Sequence, residues 1–152
     1  MDDERTIFSH LTEDGRARMV DVGLKPVLNR RAVAEGFVRC GSKTVAALRD
    51  RSVPKGDVFA VARVAGILAA KRTDGLIPMC HSLPLDGVSV ELEVTEEGVR
   101  IQATAMVCAR TGVEMEALTA VTVAALTVYD MCKSVDPAME ITGVRLLEKT
   151  KS

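Results

Sequence analysis

Apolar and polar side chains alternate most regularly in residues 88–94 and again in residues 99–107. A period of two places every second side chain on one face of an extended chain, so both stretches are predicted to be half-buried strands. Glu96, Glu97 and Gly98 lie between them. We therefore predict a β-hairpin.

Two longer segments lack this alternation and predict helices. Asp57 can cap a helix that runs to about residue 72. Gly66 inside it predicts a close packing contact, because glycine costs roughly 1 kcal/mol against alanine in a helix. Residues 113–135 contain no Gly or Pro and are rich in Ala, Leu, Met and Thr, which predicts a longer helix that Asp136 and Pro137 end.

Weaker patterns predict the remaining elements. We expect short strands at residues 19–22 and 31–39, a short helix at residues 43–51 with Ser42 as its cap, and a last strand at residues 141–147. This order predicts an α+β fold, a two-layer sandwich with a mainly antiparallel sheet and two long helices. The apolar helix surfaces also favour an oligomer.

Composition limits the class of protein and its partners. With 47% hydrophobic and 27% charged residues, residues 1–152 are expected to form a single domain, in which the polar residues 1–18 are flexible. The net charge of -1 supplies no general attraction for nucleic acid or an anionic membrane. Aromatic residues make up only 3%, so surfaces for stacking bases are scarce. We therefore expect no nucleic acid and no membrane as a partner.

Cysteine spacing and the first residues indicate the compartment. The four cysteines lack the paired spacing of zinc ribbons and redox motifs, so we expect reduced thiols. The chain begins with acidic residues where a secretory signal is basic, and no apolar run approaches the length of a membrane span. These features predict a cytoplasmic protein.

Standard cofactor motifs are absent from the sequence. It contains no Gly-rich phosphate loop, no dinucleotide fingerprint and no His-Glu-x-x-His. Cys80 and His81 alone are too few ligands for a structural zinc ion. His81 lies in an apolar loop that Pro78 and Pro84 stiffen, and its ring either binds a ligand or is satisfied by a backbone carbonyl.

Charged residues at both ends of the longer helix are candidates for chemistry. Glu114 and Glu116 favour its positive end, but side chains two positions apart point about 200° away from each other, so we expect only one to face a ligand. Asp130 and Lys133 form either a simple surface ion pair or a partly buried pair with shifted pKa values suited to proton transfer. Lys55 precedes the helix capped by Asp57, where backbone amides favour a phosphate.

At these residues the chain resembles the molybdenum cofactor biosynthesis protein C family. Five motifs match that family in order and spacing, at residues 55–60, 69–73, 76–81, 111–119 and 129–133. The resemblance runs from residues 19–22 to residues 144–147. It implies a ferredoxin-like subunit in a homohexamer, a trimer of dimers with active sites between subunits. It also implies conversion of (8S)-3',8-cyclo-7,8-dihydroguanosine 5'-triphosphate to cyclic pyranopterin monophosphate, with release of pyrophosphate.

The resemblance assigns site residues by matching position. Asp130 is implied to be catalytic, with Lys133 and Lys55 as proton-transfer and phosphate-stabilising groups. The implied substrate-binding residues are Met79, Cys80, His81, Glu114, Met115, Glu116 and Arg30, the last as a phosphate contact. No metal and no dedicated cofactor is implied, although Mg²⁺ could accompany the substrate triphosphate.

Two residues depart from the family pattern. Ser82 stands where we expect Pro, which predicts a looser His81 loop, and Arg110 stands where we expect Lys. An arginine there can hold an anion but donates protons poorly. Glu116 and Asp130 lie about 21 Å apart along one helix, so they either serve a long substrate or belong to a site shared between subunits, and our hypothesis is the shared site.

Two rival functions remain open at the level of sequence. A non-catalytic module that binds nucleotides or a partner protein predicts binding without turnover. A structural assembly subunit, whose apolar helices only build a hexamer, predicts no stabilisation by ligands.

Overall fold

The computed structural model describes residues 10–152 and contains four strands and four helices within that range. The strands are β1 (Leu28–Arg39), β2 (Gly87–Val94), β3 (Gly98–Ala109) and β4 (Glu140–Lys151). The helices are α1 (Ser42–Arg49), α2 (Val58–Ala70), α3 (Thr73–Leu76) and α4 (Glu114–Cys132). The predicted α+β class is confirmed.

The strands form one antiparallel sheet in the order β2-β3-β1-β4. Each half of the chain is a strand, a helical crossover and a second strand of the same direction, with a strand from the other half between them. This split arrangement is the ferredoxin-like topology. Helices α2 and α4 cover one face of the sheet, which gives the predicted two-layer sandwich.

The predicted hairpin is β2 and β3, which pair from Gly87 with Met106 to Val94 with Val99. Val90, Val99 and Ile101 are buried, while the side chains between them are exposed, so the alternation correctly assigned the core face. Gly98 begins β3 at φ +151°, and a Cβ there would lie 2.0 Å from the Val38 carbonyl oxygen. Only glycine fits this turn.

Both long helices form as predicted, and their packing explains Gly66. An Asp57 carboxylate oxygen accepts a hydrogen bond from the Ala60 N–H at 3.0 Å and caps α2. Gly66 faces the backbone of Ala120 in α4, so the two helices approach closely there. The expectation of a tight contact at Gly66 is confirmed.

Helix α4 is the exception to the expectation that no segment reaches the length of a membrane span. Its 19 residues are long and apolar enough for one by length and composition. Its inner side chains, among them Ala117, Val121, Ala124 and Val128, are fully buried inside the fold. In this structure α4 is therefore a core helix.

Three local predictions are wrong. Residues 19–22 form no strand, because this segment is not paired with the sheet and the Val20 carbonyl accepts from His81 instead. Ser42 is the first residue of α1 rather than its cap, and the N-cap Gly41 has no side chain. The carboxylate of Asp136 accepts from the Gly41 N–H at 2.7 Å and supplies the missing bond from a distant part of the chain. Helix α3 was not predicted.

The chain terminus and the cysteines complete the fold. Part of the terminus predicted to be flexible, residues 1–9, lies outside the described residues, and Leu11 and Ala17 form an isolated bridge. All four cysteines are free thiols, as expected. Burial, together with Cys132 and Asp136, raises the pKa of Cys40 to about 12, so this thiol stays protonated.

Candidate active site

The largest group of predicted site residues lines one cleft of about 480 Å³, here called the His81 cleft. The loop before β2, the first turn of α4 and residues 20–25 form its walls. Its lining includes Val20, Lys25, Met79, Cys80, His81, Thr111, Glu114, Met115, Glu116 and Lys149. The structure therefore brings together six residues that the family resemblance assigned to substrate binding.

His81 is held by a backbone carbonyl and also faces this cleft. Its Nε2 lies 2.7 Å from the Val20 carbonyl oxygen. Because a carbonyl can only accept, Nε2 carries the hydrogen, and in the neutral ring Nδ1 keeps its lone pair. The two interpretations of His81 are thus compatible: one nitrogen is satisfied by the protein while the ring lines the cleft.

Ser82 does not leave the loop unattached. Its hydroxyl donates a hydrogen bond to an Asp74 carboxylate oxygen in α3. This bond ties the loop to the helix that precedes it and acts against the expected loosening of the His81 loop by Ser82. Arg110 is likewise fixed, because its Nε donates to the Lys25 carbonyl oxygen at 3.2 Å.

Glu114 and Glu116 have different surroundings, as the helix geometry predicts. The Glu114 carboxylate lies 3.0 Å from Lys149 Nζ, an ion pair between the start of α4 and the end of β4. Glu116 is only 4% exposed and forms no ion pair within the described chain. Both nevertheless line the His81 cleft, so the expectation that only one faces a ligand is too narrow.

Burial changes the acidity of two groups in the cleft. It raises the pKa of the Glu116 carboxyl, and Glu114 and Asp74 raise it further, against a hydrogen bond from its own backbone N–H. Burial also raises the pKa of the Cys80 thiol, with additional contributions from Glu116 and Asp74. Cys80 is therefore a neutral contact in this cleft rather than a nucleophile.

The second group of predicted residues forms a cation cluster at the other end of α4, made of Lys55, Asp130 and Lys133. Lys133 Nζ lies 2.7 Å from Asp130 Oδ1. Lys55 Nζ donates to the Asp130 backbone carbonyl at 2.9 Å and lies 3.3 Å from Oδ2. One carboxylate thus holds two ammonium groups that come from positions far apart in the sequence.

The pKa values of Asp130 and Lys133 in this cluster are shifted by pairing and not by burial. All three side chains are about half exposed. Hydrogen bonds from Lys133 and then Lys55 lower the pKa of Asp130, and the bond to Asp130 raises the pKa of Lys133. Of the two interpretations of Asp130 and Lys133, the described chain therefore shows the exposed ion pair, and the shifts keep Asp130 ionised and Lys133 protonated near neutral pH.

A single chain does not bring the cation cluster and the His81 cleft together. Glu116 lies in the first turn of α4 and Asp130 in its last turn. At 1.5 Å per residue the two positions are about 21 Å apart along the helix. The lining of the His81 cleft includes no residue of the cation cluster.

Arg30 stands in a recess of about 180 Å³ that adjoins the cleft and shares Gly112, Glu114 and Lys149 with it. Its guanidinium donates to the Ala109 and Arg110 carbonyl oxygens, at 3.4 and 3.1 Å. These bonds fix the guanidinium at the rim of the site. A phosphate contact at this rim is compatible with its position.

Lys149 and Lys25 were missed by reasoning from sequence. Lys149 lies in the last part of β4, beyond the point where alternation predicted the strand to end. Lys25 lies in a segment without secondary structure. No local pattern connects either lysine with the His81 loop, and only the fold places them at one cleft.

No set of three or more His, Cys, Asp or Glu side chains within residues 10–152 is arranged to hold a metal ion. Fold and site together define an α+β protein whose cleft and cation cluster carry imidazole, carboxylate and ammonium groups, the types of side chain that perform acid–base chemistry.

Comparison with known proteins identifies the family. Residues 19–152 match the MoaC family, and the chain belongs to it. It is 52% identical over 143 residues to the cyclic pyranopterin monophosphate synthase of Peptoclostridium acidaminophilum, over 94% of this chain and 91% of that protein. It is 55% identical over 145 residues to the enzyme of the same name from Roseiflexus sp. strain RS-1, over 94% and 92% of the two chains.

A third relative is longer. The molybdenum cofactor biosynthesis bifunctional protein of Chlorobaculum tepidum is 51% identical over 143 residues, which are 94% of this chain but 46% of that protein. The family resemblance predicted from the five motifs is confirmed. With it the expectation of an enzyme of molybdenum cofactor biosynthesis is confirmed.

Proposed function

We propose that this chain converts (8S)-3',8-cyclo-7,8-dihydroguanosine 5'-triphosphate to cyclic pyranopterin monophosphate, with release of pyrophosphate, at a site shared between two subunits. Family membership and the relatives named cyclic pyranopterin monophosphate synthase support the reaction. The separation of the His81 cleft from the cation cluster supports the shared site.

The cation cluster suits the phosphate part of this reaction. A substrate hydroxyl attacks the α-phosphorus and loses its proton, the bond to the bridging oxygen breaks, and pyrophosphate leaves with the bonding electrons. Lys55 and Lys133 stabilise the charge on the phosphate oxygens, and Lys133 can donate a proton to the leaving group. Asp130 orients both lysines, and it either tunes Lys133 or exchanges protons with the substrate itself.

The His81 cleft suits the ring part of the reaction. Opening of the purine-derived ring and closure of the pyran ring require proton transfers to and from nitrogen and oxygen atoms. His81 Nδ1 and the buried Glu116 carboxyl are groups that can carry those protons. Met79, Cys80 and Met115 supply apolar contacts along the same walls, and Arg30 and Lys149 supply cations at the rim.

Apolar side chains left exposed in two regions support a homohexamer assembled as a trimer of dimers. On α2 and α4 the exposed residues are Val61, Val64, Leu68 and Leu126. On the sheet they include Met106, Val144 and Leu147. A trimer of dimers needs two different interfaces, and large exposed apolar patches mark such surfaces.

Activity is tested by incubating the purified chain with the cyclised dihydroguanosine triphosphate and measuring pyrophosphate and the pterin product. Asp130→Asn and Lys133→Ala are expected to bind the substrate but lose turnover, by about 10²-fold or more. Binding without turnover by the folded wild-type chain would instead support the non-catalytic module. The same assay with and without Mg²⁺ tests whether Mg²⁺ accompanies the substrate triphosphate.

The shared site has a sharper test in mixed subunits. Glu116→Gln and Lys133→Ala are each expected to be inactive, but a dimer of one subunit of each kind keeps one site built from two intact halves. A statistical mixture should regain about a quarter of the wild-type activity. Mixing Lys133→Ala with Asp130→Asn, which damage the same cluster, is the control and should regain nothing.

No recovery of activity from the Glu116→Gln and Lys133→Ala mixture, after subunit exchange has been verified, would contradict the shared site.

Cytoplasmic location also belongs to this proposal, and fractionation of cells that make the untagged chain tests it.

A further inference from the structure

A second recess, of about 320 Å³, lies on the chain outside the His81 cleft and the cation cluster. Three arginines border it: Arg49 at the end of α1, Arg51 just after α1, and Arg63 in the second turn of α2. Its remaining walls come from the loop before α2, the first residues of α2 and the end of β2. The functional residues named so far do not line it.

The floor of this arginine recess is apolar, which strengthens charge interactions above it. Leu48, Val53 and Val58 are each at most 6% exposed, and Phe59 and Val94 are partly buried beside them. The three arginines are themselves exposed, so their charges act at the partly screened strength typical of a protein surface, which is still stronger than in bulk water.

The carboxylates nearby offset only part of the charge of the three arginines. Asp57 lines the recess and accepts from the Ala60 N–H, and Glu91 pairs with Arg63 at 4.0 Å. Arg49 also borders a neighbouring recess with Asp50 and Glu96. Within residues 10–152, however, neither Arg49 nor Arg51 has a carboxylate oxygen within 4.0 Å, so the recess keeps an excess of positive charge.

Two of the arginines are held at the recess by backbone geometry. Arg63 Nε donates to the Val90 carbonyl oxygen at 2.9 Å, which fixes the guanidinium plane. Arg51 stands at φ +53° immediately after α1, a left-handed position at which glycine is usual. Here an arginine occupies that position and presents its side chain to the recess.

We propose that this arginine recess is a binding site for a diphosphate group, distinct from the catalytic cluster. The Arg49 and Arg51 guanidinium groups can each bind a phosphate oxygen pair, and Arg63, whose Nε is held by the Val90 carbonyl, adds a third positive charge, so the set matches two linked phosphates better than one. The diphosphate could be inorganic pyrophosphate or part of a nucleotide.

Position relates the recess to the proposed reaction. Gly56 and Asp57 line it, and the adjoining Lys55 holds Asp130 in the cation cluster. If the proposed function holds, pyrophosphate is released at Lys55, next in sequence to two residues that line this recess. Binding itself does not depend on the reaction, so its test can succeed or fail independently of turnover.

The test is calorimetric titration of the full-length chain with inorganic pyrophosphate, in parallel with inorganic phosphate and with GTP. The variant is Arg49→Ala combined with Arg51→Gly, which removes two guanidiniums and leaves the turn in its preferred conformation. We expect it to lose one pyrophosphate site per chain or to weaken that site at least tenfold. Lys55→Ala combined with Lys133→Ala should leave this site intact.

One control variant excludes general charge attraction, and one ligand comparison distinguishes the sources of the diphosphate. Lys43→Ala combined with Lys71→Ala removes the same formal charge elsewhere and should leave pyrophosphate binding unchanged. Arginine-dependent binding of GTP with affinity above that of pyrophosphate would assign the site to a nucleotide diphosphate. Pyrophosphate binding by the Arg49→Ala, Arg51→Gly variant that equals wild-type binding would overturn the proposal. An equal loss of pyrophosphate binding in the Lys43→Ala, Lys71→Ala control would also overturn it.

Discussion

Gly66 of α2 stands directly against the backbone of Ala120 in α4. A Cβ on Gly66 would lie 2.9 Å from the Ala120 carbonyl oxygen, 3.1 Å from a Val90 methyl and 3.3 Å from the Ala124 Cβ. Three surfaces therefore meet where only a hydrogen atom fits. This contact sets the distance between α2, whose preceding loop holds Lys55, and α4, whose two ends hold Glu116 and Asp130.

Gly66→Ala should destabilise the fold by about 1–3 kcal/mol, because the obstructing atom is backbone and cannot rotate away. The gain in helix propensity, about 1 kcal/mol, acts in the opposite direction and is too small to compensate. Denaturant unfolding at matched protein concentration measures the difference. Gly75→Ala is the control, since a Cβ there meets nothing within 4 Å, and an equal loss in both variants would contradict this packing argument.

Arg51→Gly should stabilise the fold by roughly 0.5–1 kcal/mol. The Ser52 N–H donates to the Ala47 carbonyl and the Arg51 N–H to the Leu48 carbonyl, a Schellman ending that puts Arg51 at φ +53°. Glycine adopts this conformation without the steric penalty of a Cβ. Arg49→Gly, inside the helix, should lose stability by about 1 kcal/mol. Thermal unfolding of both variants separates the backbone effect from the loss of charge.

Asp130 and Lys133 stabilise each other over a pH range that follows from their shifts. The lowered pKa of Asp130 contributes stability above the ordinary carboxyl value of 3.8, which is lost as the pH falls through the lowered value. The raised pKa of Lys133 contributes stability below the ordinary lysine value of 10.5, which is lost as the pH rises through the raised value. Between these limits Lys133 remains a cation.

Asp130→Asn should therefore return the pKa of Lys133 towards 10.5. Carbon-13 NMR titration of the lysine side chains measures it, with Lys133→Arg used to assign the resonance. The Lys149 resonance, whose partner is Glu114, should not move in Asp130→Asn. A Lys133 titration that is the same with and without Asp130 would show that the pair does not form in solution.

Asp136 ties the end of α4 to the start of α1. Its carboxylate accepts from the Gly41 N–H at 2.7 Å, the Thr44 hydroxyl at 3.2 Å and the Ala138 N–H at 3.2 Å. Asp136→Ala should lower the free energy of unfolding by about 1–3 kcal/mol, because those donors lose their acceptor. Asp136→Asn keeps an acceptor oxygen and should lose less. Equal losses in both would mean that the charge at the α1 N-terminus dominates.

The pattern of apolar and polar residues correctly predicted the helices and strands that depend on contacts between a few neighbouring residues. The alternation in β2 and β3, the cap at Asp57 and the close approach at Gly66 each follow from the chemistry of a few neighbouring residues. It failed at residues 19–22, because a four-residue apolar pattern does not show whether a partner strand lies beside it. It failed at Ser42, because the bond that satisfies the start of α1 comes from Asp136.

The site was less accessible to sequence reasoning than the fold. Helix geometry alone separates Glu116 from Asp130, and the structure agrees. The approach of Lys55 to Asp130 and of Lys149 to Glu114 joins distant segments, and no local pattern encodes either contact. The exposure of the cation cluster was also unpredictable, since its apolar sequence neighbours point to the other side of α4.

Glu116→Gln separates the chemistry of the cleft from its stability. The raised pKa of Glu116 means that the folded state binds the carboxyl proton more tightly than the unfolded state does. The ionised Glu116 carboxyl therefore opposes folding above the raised pKa. This opposition disappears as the pH falls through the raised pKa. Glutamine has the same shape without the charge. At neutral pH the variant should therefore unfold at higher denaturant concentration than the wild type and convert substrate at least about 10²-fold more slowly. The gain in stability should vanish at acidic pH, where the wild-type carboxyl is also neutral.

Glu114→Gln is the matched control: it breaks the ion pair with Lys149 and should not gain stability. A variant that is less stable at every pH would show that the Glu116 carboxylate is satisfied in the assembled protein, through contacts that one chain does not provide.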